Sequence, residues 1–257
     1  MKPLPRIIAR SLSLLAVVAG LSAIARADLA DTIEKIKPSI VAVGIFKQTN
    51  SPPFALRGTG FVIGDGHLVA TNSHVVPDNP DPDGAVLVVQ VRGSGGELLL
   101  KRAELLSRDK AHDLVVLRFE GAALPALTIA DSDTVREGQG IGFTGFPIGG
   151  ALGFSPVTHH GIVSSITPIA LPGGNAHQLN SRLIRQLKSG TFNIFQLDAT
   201  AYPGNSGSPV FDVENGSVIG IINMAFVKGS KESALSQPSG ISYAIPATFL
   251  RQLLDER

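Results

Sequence analysis

The chain has 257 residues, of which 44% are hydrophobic and 17% charged, and its formal net charge at neutral pH is +1. This composition excludes an intrinsically disordered chain, because such chains are poor in apolar residues and rich in charge. The small net charge argues against a nucleic-acid partner, and the absence of cysteine excludes disulfides. The length allows one large β domain or two small ones with a substantial core.

The first 27 residues have the pattern of a secretory signal peptide. Three basic side chains within residues 2–10 precede an apolar stretch over residues 11–24, and Ala25-Arg26-Ala27 fits a small-x-small cleavage site. We therefore predict export to the periplasm or the exterior, with a mature chain that starts at Asp28. The alternative is an uncleaved anchor, but the stretch is shorter than the roughly 20 apolar residues of a spanning helix. The leader carries four of the 22 Lys and Arg and none of the 21 Asp and Glu, so the mature net charge is −3.

Short apolar runs separated by Gly, Pro, Asn and Asp dominate the mature chain. This pattern is typical of β-strands joined by tight turns, and it indicates an all-β barrel or sandwich. Helices are predicted at residues 29–36 and at residues 247–255, which follow Pro246, and residues 179–187 could form one or two helical turns. Residues 124–140 link two halves of the pattern, and a long loop at 168–190 interrupts the second half. Strands are predicted at 39–46, 60–63, 68–70, 85–91, 97–106, 114–119, 141–146, 161–166, 192–197, 208–211, 217–225 and 241–245, with a hairpin turn at Gly64-Asp65-Gly66.

A stiff turn surrounds one serine in the segment YPGNSGSPV, residues 202–210. Two prolines and two glycines in this segment disfavour regular helix and predict a tight, preshaped turn around Ser206. A serine hydroxyl is a poor nucleophile unless a base accepts its proton. The turn therefore indicates catalysis only if such a base lies elsewhere in the chain.

His74 is the best candidate for that base among six histidines. It lies in ATNSHVV, where an apolar strand ends and the chain turns, so its ring can be held rigidly at a cleft. Asp113 lies in AHDLVVLRF beside another strand, where a carboxylate can fix the tautomer of an imidazole and stabilise the imidazolium. A strand-capping acid is the alternative for Asp113. For the other histidines we predict surface or core roles: His67 in a hairpin, His112 before a strand, His159 and His160 in a loop, and His177 in the long loop.

The three motifs occur in the order His, Asp, Ser, as in chymotrypsin-like enzymes and unlike subtilisin-like enzymes or α/β-hydrolases. Together with VIGIINMAF and GISYAIP, they resemble the corresponding segments of HtrA/Deg-type trypsin-like serine proteases over residues 31–254. The resemblance implies an all-β fold of two six-stranded antiparallel barrels, with the active site in the cleft between them. The barrels are expected at about 38–130 and about 137–245, followed by a short C-terminal helix at 247–255.

The resemblance also implies the roles of the site residues. His74 becomes the general base, Asp113 the orienting acid and Ser206 the nucleophile, and the backbone N–H groups of Gly204 and Ser206 form the oxyanion hole. It implies a substrate pocket lined by Thr200, Asn223, Met224 and Ala225. Because Thr200 stands where a basic-specific pocket would hold an Asp, small or medium apolar side chains are expected there. The alternative is that Met224 points into the barrel core and the 168–190 loop shapes the pocket.

Three departures from the family pattern refine this interpretation. Digestive trypsin-like enzymes have an Asp before the nucleophile that pairs with a newly cut N-terminus, whereas this chain has Asn205, so activation by trimming is not expected. Most HtrA members carry C-terminal PDZ domains, but this sequence ends 12 residues after Ile245. The run GSPV after Ser206, in place of a GGAL-like run, makes the wider group of single-domain trypsin-like proteases an equal alternative.

The predicted function is a serine endopeptidase that cleaves exported or misfolded polypeptides through an acyl-enzyme. A noncatalytic peptide-binding or chaperone-like protein on the same fold is the main alternative. An α/β-class esterase is a third, but that class needs Gly-x-Ser-x-Gly, and here Ser208 stands two residues after Ser206. The sequence has no cofactor motif and no cluster with metal-ligand spacing, so neither a cofactor nor a metal is expected.

Overall fold

The computed structural model describes residues 28–78, 84–93, 95–150, 154–168, 192–224 and 240–256. The predicted signal peptide, nearly all of the 168–190 loop with His177, and Ala225 lie outside these residues. Two helices fall where the sequence predicts them, α1 at Leu29–Ile36 and α2 at Ala247–Asp255. The described strands are β1 Ile40–Phe46, β2 Phe54–Ile63, β3 Leu68–Asn72, β4 Val86–Arg92, β5 Leu98–Asp109, β6 Leu114–Phe119, β7 Gly140–Gly145, β8 Val157–Pro168, β9 Asn193–Asp198, β10 Pro209–Asp212, β11 Val218–Ile222 and β12 Ile241–Pro246.

The strands form two closed antiparallel barrels. The N-terminal barrel has the order β1-β2-β3-β6-β5-β4, and the C-terminal barrel has the order β10-β11-β12-β9-β8-β7. Each barrel therefore has six strands, which confirms the predicted all-β, two-barrel fold with a short C-terminal helix. Closure leaves neither sheet with a free edge along its length.

Three buried clusters explain why so many strands are apolar on both faces. Alternate residues of a strand point to opposite faces, so Val115 and Leu117 of β6 fill the N-terminal barrel while Leu114 and Val116 face outward. These outward residues join a cluster that also contains Phe211 and Ile245 of the other barrel and Leu250 of α2. The interior of the C-terminal barrel is a third cluster, with Phe143, Leu197, Val210 and Ile222 at its centre. The cluster that contains Leu114, Phe211 and Leu250 holds the two barrels together and so fixes the cleft between them.

Two strands begin four or more residues before their predicted starts, β2 and β8. Strand β2 begins at Phe54 rather than at residue 60. Its glycines weaken a strand prediction, but in the structure they allow neighbouring groups to pack closely against the strand. A Cβ at Gly58 would lie 2.6 Å from a Val75 methyl group and 2.8 Å from the Ser206 carbonyl oxygen. His159 and His160 lie within β8, not in a loop as predicted. The polar run reads as a loop, but its backbone is paired with β7, where Phe143 stands opposite His159.

Candidate active site

Three side chains predicted from the sequence meet at the cleft between the barrels. His74 lies in a single 3₁₀ turn, Ser73–Val75, directly after β3, and Asp113 directly precedes β6. These strands are paired neighbours with Asn72 opposite Leu114, so the end of one lies beside the start of the other. Ser206 comes from the turn before β10 in the other barrel. The His74 Nδ1 atom lies 2.6 Å from Asp113 Oδ2, and its Nε2 atom lies 3.0 Å from Ser206 Oγ.

The carboxylate of Asp113 is buried and held by several donors. Its Oδ1 accepts the His74 backbone N–H at 2.9 Å, and its Oδ2 accepts the side-chain amide of Asn223 at 2.8 Å as well as the His74 ring. The backbone at Asp113 is left-handed, with a φ of 56°, an uncommon conformation that Asp tolerates better than most residues. The carboxylate therefore keeps the proton of a neutral His74 ring on Nδ1 and leaves Nε2 to accept from Ser206.

A second carboxylate shapes the turn that presents Asp113. Asp109 Oδ1 accepts the backbone N–H groups of Ala111 and His112 at 2.8 and 3.0 Å, while its Oδ2 pairs with the His112 ring. Burial alone would raise the pKa of Asp109, but these hydrogen bonds outweigh burial and the pKa lies below its usual 3.8. The His112 ring stacks on Phe249 of α2 with 3.8 Å between centroids. The turn before Asp113 is thereby attached to the C-terminal helix.

The turn around Ser206 contains two backbone N–H groups that the described hydrogen bonds do not use, those of Gly204 and Ser206. The Pro203 carbonyl accepts the Ile148 N–H at 2.7 Å, and the Asn205 carbonyl accepts the Ser208 N–H at 2.9 Å. Because a trans peptide points its N–H away from its own C=O, the N–H groups of Gly204 and Ser206 each point away from these bonded carbonyls. Neither of them donates to an acceptor among the described residues. The positive φ of Gly204, 103°, allows this arrangement, which suits a negatively charged oxygen.

The predicted pocket residues differ in their burial and their contacts. Thr200 is half-buried just after β9. Asn223 is fully buried, and its side-chain amide donates to the buried Asp113 carboxylate at 2.8 Å. Met224 is half-buried and packs against the core of the C-terminal barrel. Ala225 lies outside the described residues.

Sequence reasoning assigned Asn223 to the substrate pocket and missed its contact with Asp113, and it gave no role to Thr59 or Asp109. Asn223 ends the apolar run VIGIIN, and a lone amide at the end of a buried strand was a usable signal for a buried polar contact. Thr59 lies immediately before the strand predicted to start at residue 60, so it read as a loop residue. Asp109 carried no signal beyond its position four residues before Asp113. In the described ranges, no group of three His, Asp or Glu side chains could hold a metal ion, and no helix is long and apolar enough to cross a membrane.

Comparison with known proteins identifies relatives of this chain. The sequence profile of the trypsin-like peptidase domain matches residues 58–221. A probable periplasmic serine endoprotease DegP-like from Chlamydia trachomatis is 32% identical over 79% of this chain and 34% of its own length. The mitochondrial serine protease HTRA2 of Drosophila pseudoobscura is 29% identical over 88% of this chain and 46% of its own length. The chain thus spans between a third and a half of the length of these curated relatives.

Solved structures show the same architecture. The HtrA-type protease AlgW, determined with a tripeptide, superposes with a TM-score of 0.61 at 25% identity, over 89% of this chain and 62% of the AlgW chain. A second AlgW structure, determined with a decapeptide, gives a TM-score of 0.60 at 23% identity and supports the fold alone.

Proposed function

This chain belongs to the trypsin-like peptidase domain family, and on that premise we propose that it is an HtrA-type serine endopeptidase. The single observation that carries the proposal is the continuous hydrogen-bonded relay from Asp113 through His74 to Ser206. Side chains from two separate barrels form this relay, so it needs the complete fold. A chain that only bound peptides would not need a base within 3.0 Å of a buried serine hydroxyl.

In the proposed reaction, Ser206 Oγ attacks the carbonyl carbon of the scissile peptide bond while His74 Nε2 takes the hydroxyl proton. The negative charge that develops on the carbonyl oxygen is stabilised by the N–H groups of Gly204 and Ser206. Asp113 remains ionised and stabilises the imidazolium that forms. When the C–N bond breaks, the imidazolium returns its proton to the leaving amine, and an acyl-enzyme remains on Ser206. Water, activated by the same imidazole, then releases the acid product and restores the hydroxyl.

We propose polypeptides in an exported compartment, including misfolded ones, as the substrates. Curated relatives are named as periplasmic endoproteases, and a related structure contains a bound tripeptide. The signal-peptide pattern of residues 1–27 supports export of this chain. We therefore place its activity in the periplasm or outside the cell.

Active-site labelling and peptide cleavage test the proposal together. The chain from Asp28 to Arg257 should react with a fluorophosphonate probe and cleave a peptide library, and Ser206→Ala should do neither while keeping its thermal unfolding temperature. Ser164→Ala, which removes an exposed hydroxyl on β8, is the matched control and should react like the wild type. Peptide binding without labelling or cleavage would favour the noncatalytic alternative. Undiminished cleavage by Ser206→Ala would refute the mechanism.

A further inference from the structure

Thr59 lies in the N-terminal barrel but contacts the turn of the C-terminal barrel that carries Ser206. It lies on β2, where this strand has not yet paired with β3; the pairing of those two strands starts at Phe61. The side chain is completely buried. At this point the side of β2 that is not paired with β3 bonds instead to the turn that carries Ser206.

Four hydrogen bonds converge on this residue. Its backbone N–H donates to the Ser206 carbonyl at 2.8 Å, and its own carbonyl accepts the Thr71 hydroxyl at 2.6 Å. Its hydroxyl donates to the Gly204 carbonyl at 2.8 Å and accepts the Phe146 N–H at 3.0 Å. A hydroxyl used both as donor and as acceptor in a buried site is held in one orientation.

These bonds act on the peptide groups that neighbour the two free N–H groups. The Gly204 carbonyl belongs to the peptide between the donors of Gly204 and Ser206, so fixing that peptide fixes the angle between them. Phe146 lies two residues before Ile148, whose N–H holds the Pro203 carbonyl at 2.7 Å and orients the N–H of Gly204. The hydroxyl of Thr59 therefore links both segments that orient the N–H of Gly204.

We propose that Thr59 is a positioning residue for the oxyanion hole, an inference that rests on the proposed function. Its hydroxyl holds the Gly204-Asn205-Ser206 backbone and the 146–148 segment in the arrangement that receives the transition state. Thr59 contacts no reacting atom and acts through the backbone alone. Because oxyanion donors stabilise the transition state more than the bound substrate, loss of the hydroxyl lowers kcat and leaves KM unchanged.

Replacement of the hydroxyl without change of shape tests the kinetic part. Thr59→Val keeps both backbone bonds but leaves the Gly204 carbonyl and the Phe146 N–H without the hydroxyl. We expect kcat to fall about 10- to 100-fold, the size of effect that misplacement by about 1 Å produces. Inhibition by a peptide boronate, which forms a tetrahedral adduct on serine, should weaken by the same factor. Thr59→Ser keeps the hydroxyl and should restore both values, and Thr59→Cys, a weaker donor, should give intermediate values.

Amide hydrogen exchange tests the structural part without any turnover. The N–H groups of Asn205 and Ser208 are bonded within the turn, and both should exchange faster in Thr59→Val than in the wild type. Thr32→Val is the matched control. Thr32 lies on helix α1, and this substitution likewise removes a buried hydroxyl, one that donates to the Val213 carbonyl. That control should leave exchange in the turn, kcat and boronate inhibition unchanged.

The outcomes separate this inference from the proposed function. An active wild type with unchanged kcat in Thr59→Val would overturn the positioning role, as would unchanged exchange in the turn. If the wild type is neither labelled nor able to cleave peptides, the proposed function is refuted. Faster amide exchange of the turn in Thr59→Val would even then support the inference that Thr59 fixes the backbone of that turn. If Thr59→Val does not fold, the comparison of Thr59→Ser with Thr59→Cys decides, because equal kcat in these two variants would contradict the proposal.

Discussion

At the scale of single residues, burial separates the groups that support the proposed chemistry from those that merely lie nearby. Asp113 has its charge distributed over donors from His74 and Asn223, whereas the exposed Asp65 pairs with Arg118 at the surface. A hydrogen bond to a buried charge contributes more than an exposed ion pair, because the buried charge has lost its water. The environment of Asp113 is therefore the place where single substitutions should act on activity.

Asn223→Ala should weaken catalysis through Asp113. The substitution removes a donor at 2.8 Å from the carboxylate, and hydrogen bonds to charged groups contribute about 1.5–3 kcal/mol. We expect kcat for a peptide substrate to fall about 10- to 100-fold at unchanged KM. Asn223→Asp should be more damaging, because it places a second carboxylate beside the first. If Asn223 instead lines the substrate pocket, the alanine variant would change KM and the cleavage preference while kcat on a good substrate survived.

His159 should make the protein less stable in mild acid. Its ring stacks on Phe143, 4.7 Å away, and its Nε2 is buried without a hydrogen-bond partner in the described part of the chain. Burial lowers the pKa of His159 below its usual 6.5, so between these two pKa values the unfolded chain binds a proton that the folded chain does not. The neutral, buried His159 ring therefore makes its full contribution to the unfolding free energy above about pH 6.5, and this contribution decreases as the pH falls towards the lowered pKa.

Urea unfolding between pH 7.5 and pH 5 measures this effect. His159→Gln should flatten the dependence of the unfolding free energy on pH, since glutamine does not titrate. His160→Gln, which changes the exposed neighbour on the same strand, should retain the wild-type slope. Equal slopes in the wild type and His159→Gln would show that His159 is not kept neutral by burial.

At the scale of elements, buried strands could be predicted from their apolar runs, whereas strands with many polar or half-exposed side chains could not. Strand β6 matches its prediction at both ends because five of its six side chains are apolar and buried, on both faces of the strand. Strand β8 is mostly half-exposed and is held by backbone pairing with β7 and β9, which a sequence pattern does not reveal. His74, Asp113 and Ser206 could be predicted because each lies in a recognisable local motif. The contacts of Thr59 and Asn223 could not, because they depend on how the two barrels pack against each other.

The turn between β5 and β6 provides a prediction at this scale. Asp109→Ala removes the acceptor for two backbone N–H groups in that turn and the partner of the His112 ring. We expect the unfolding free energy to fall by about 1–3 kcal/mol and kcat to fall as Asp113 loses its fixed position. Asp131→Ala is a matched control, because this carboxylate also accepts a backbone N–H in a turn, at Asp133. A similar loss of stability in both variants, with kcat lowered only in Asp109→Ala, would support the positional role; unchanged kcat in both would contradict it.

At the scale of the whole molecule, the site exists only where the two barrels meet. His74 and Asp113 come from the first barrel and Ser206 from the second, and the cluster that includes Phe211 and Leu114 joins them. In the proposed reaction the same cleft receives the substrate, so we expect selectivity to depend on the charge and size of the side chains that face it. Thr200 contributes no charge at the position where the family places an acid in basic-specific pockets, and Asp198 is exposed at the end of β9.

We therefore predict cleavage after small or medium apolar side chains such as Ala, Val, Ile and Leu. A cationic side chain entering this pocket would lose its water without gaining a charged partner, which is costly. Discrimination among apolar side chains should be modest, about 1–3 kcal/mol per methylene. Mass-spectrometric profiling of a peptide library cleaved by the chain from Asp28 gives the preference, with Ser206→Ala as the blank. Thr200→Asp should add cleavage after Lys and Arg if Thr200 lies at the base of the pocket. Dominant cleavage after Lys or Arg by the wild type would instead show that an acid such as Asp198 reaches the bound side chain.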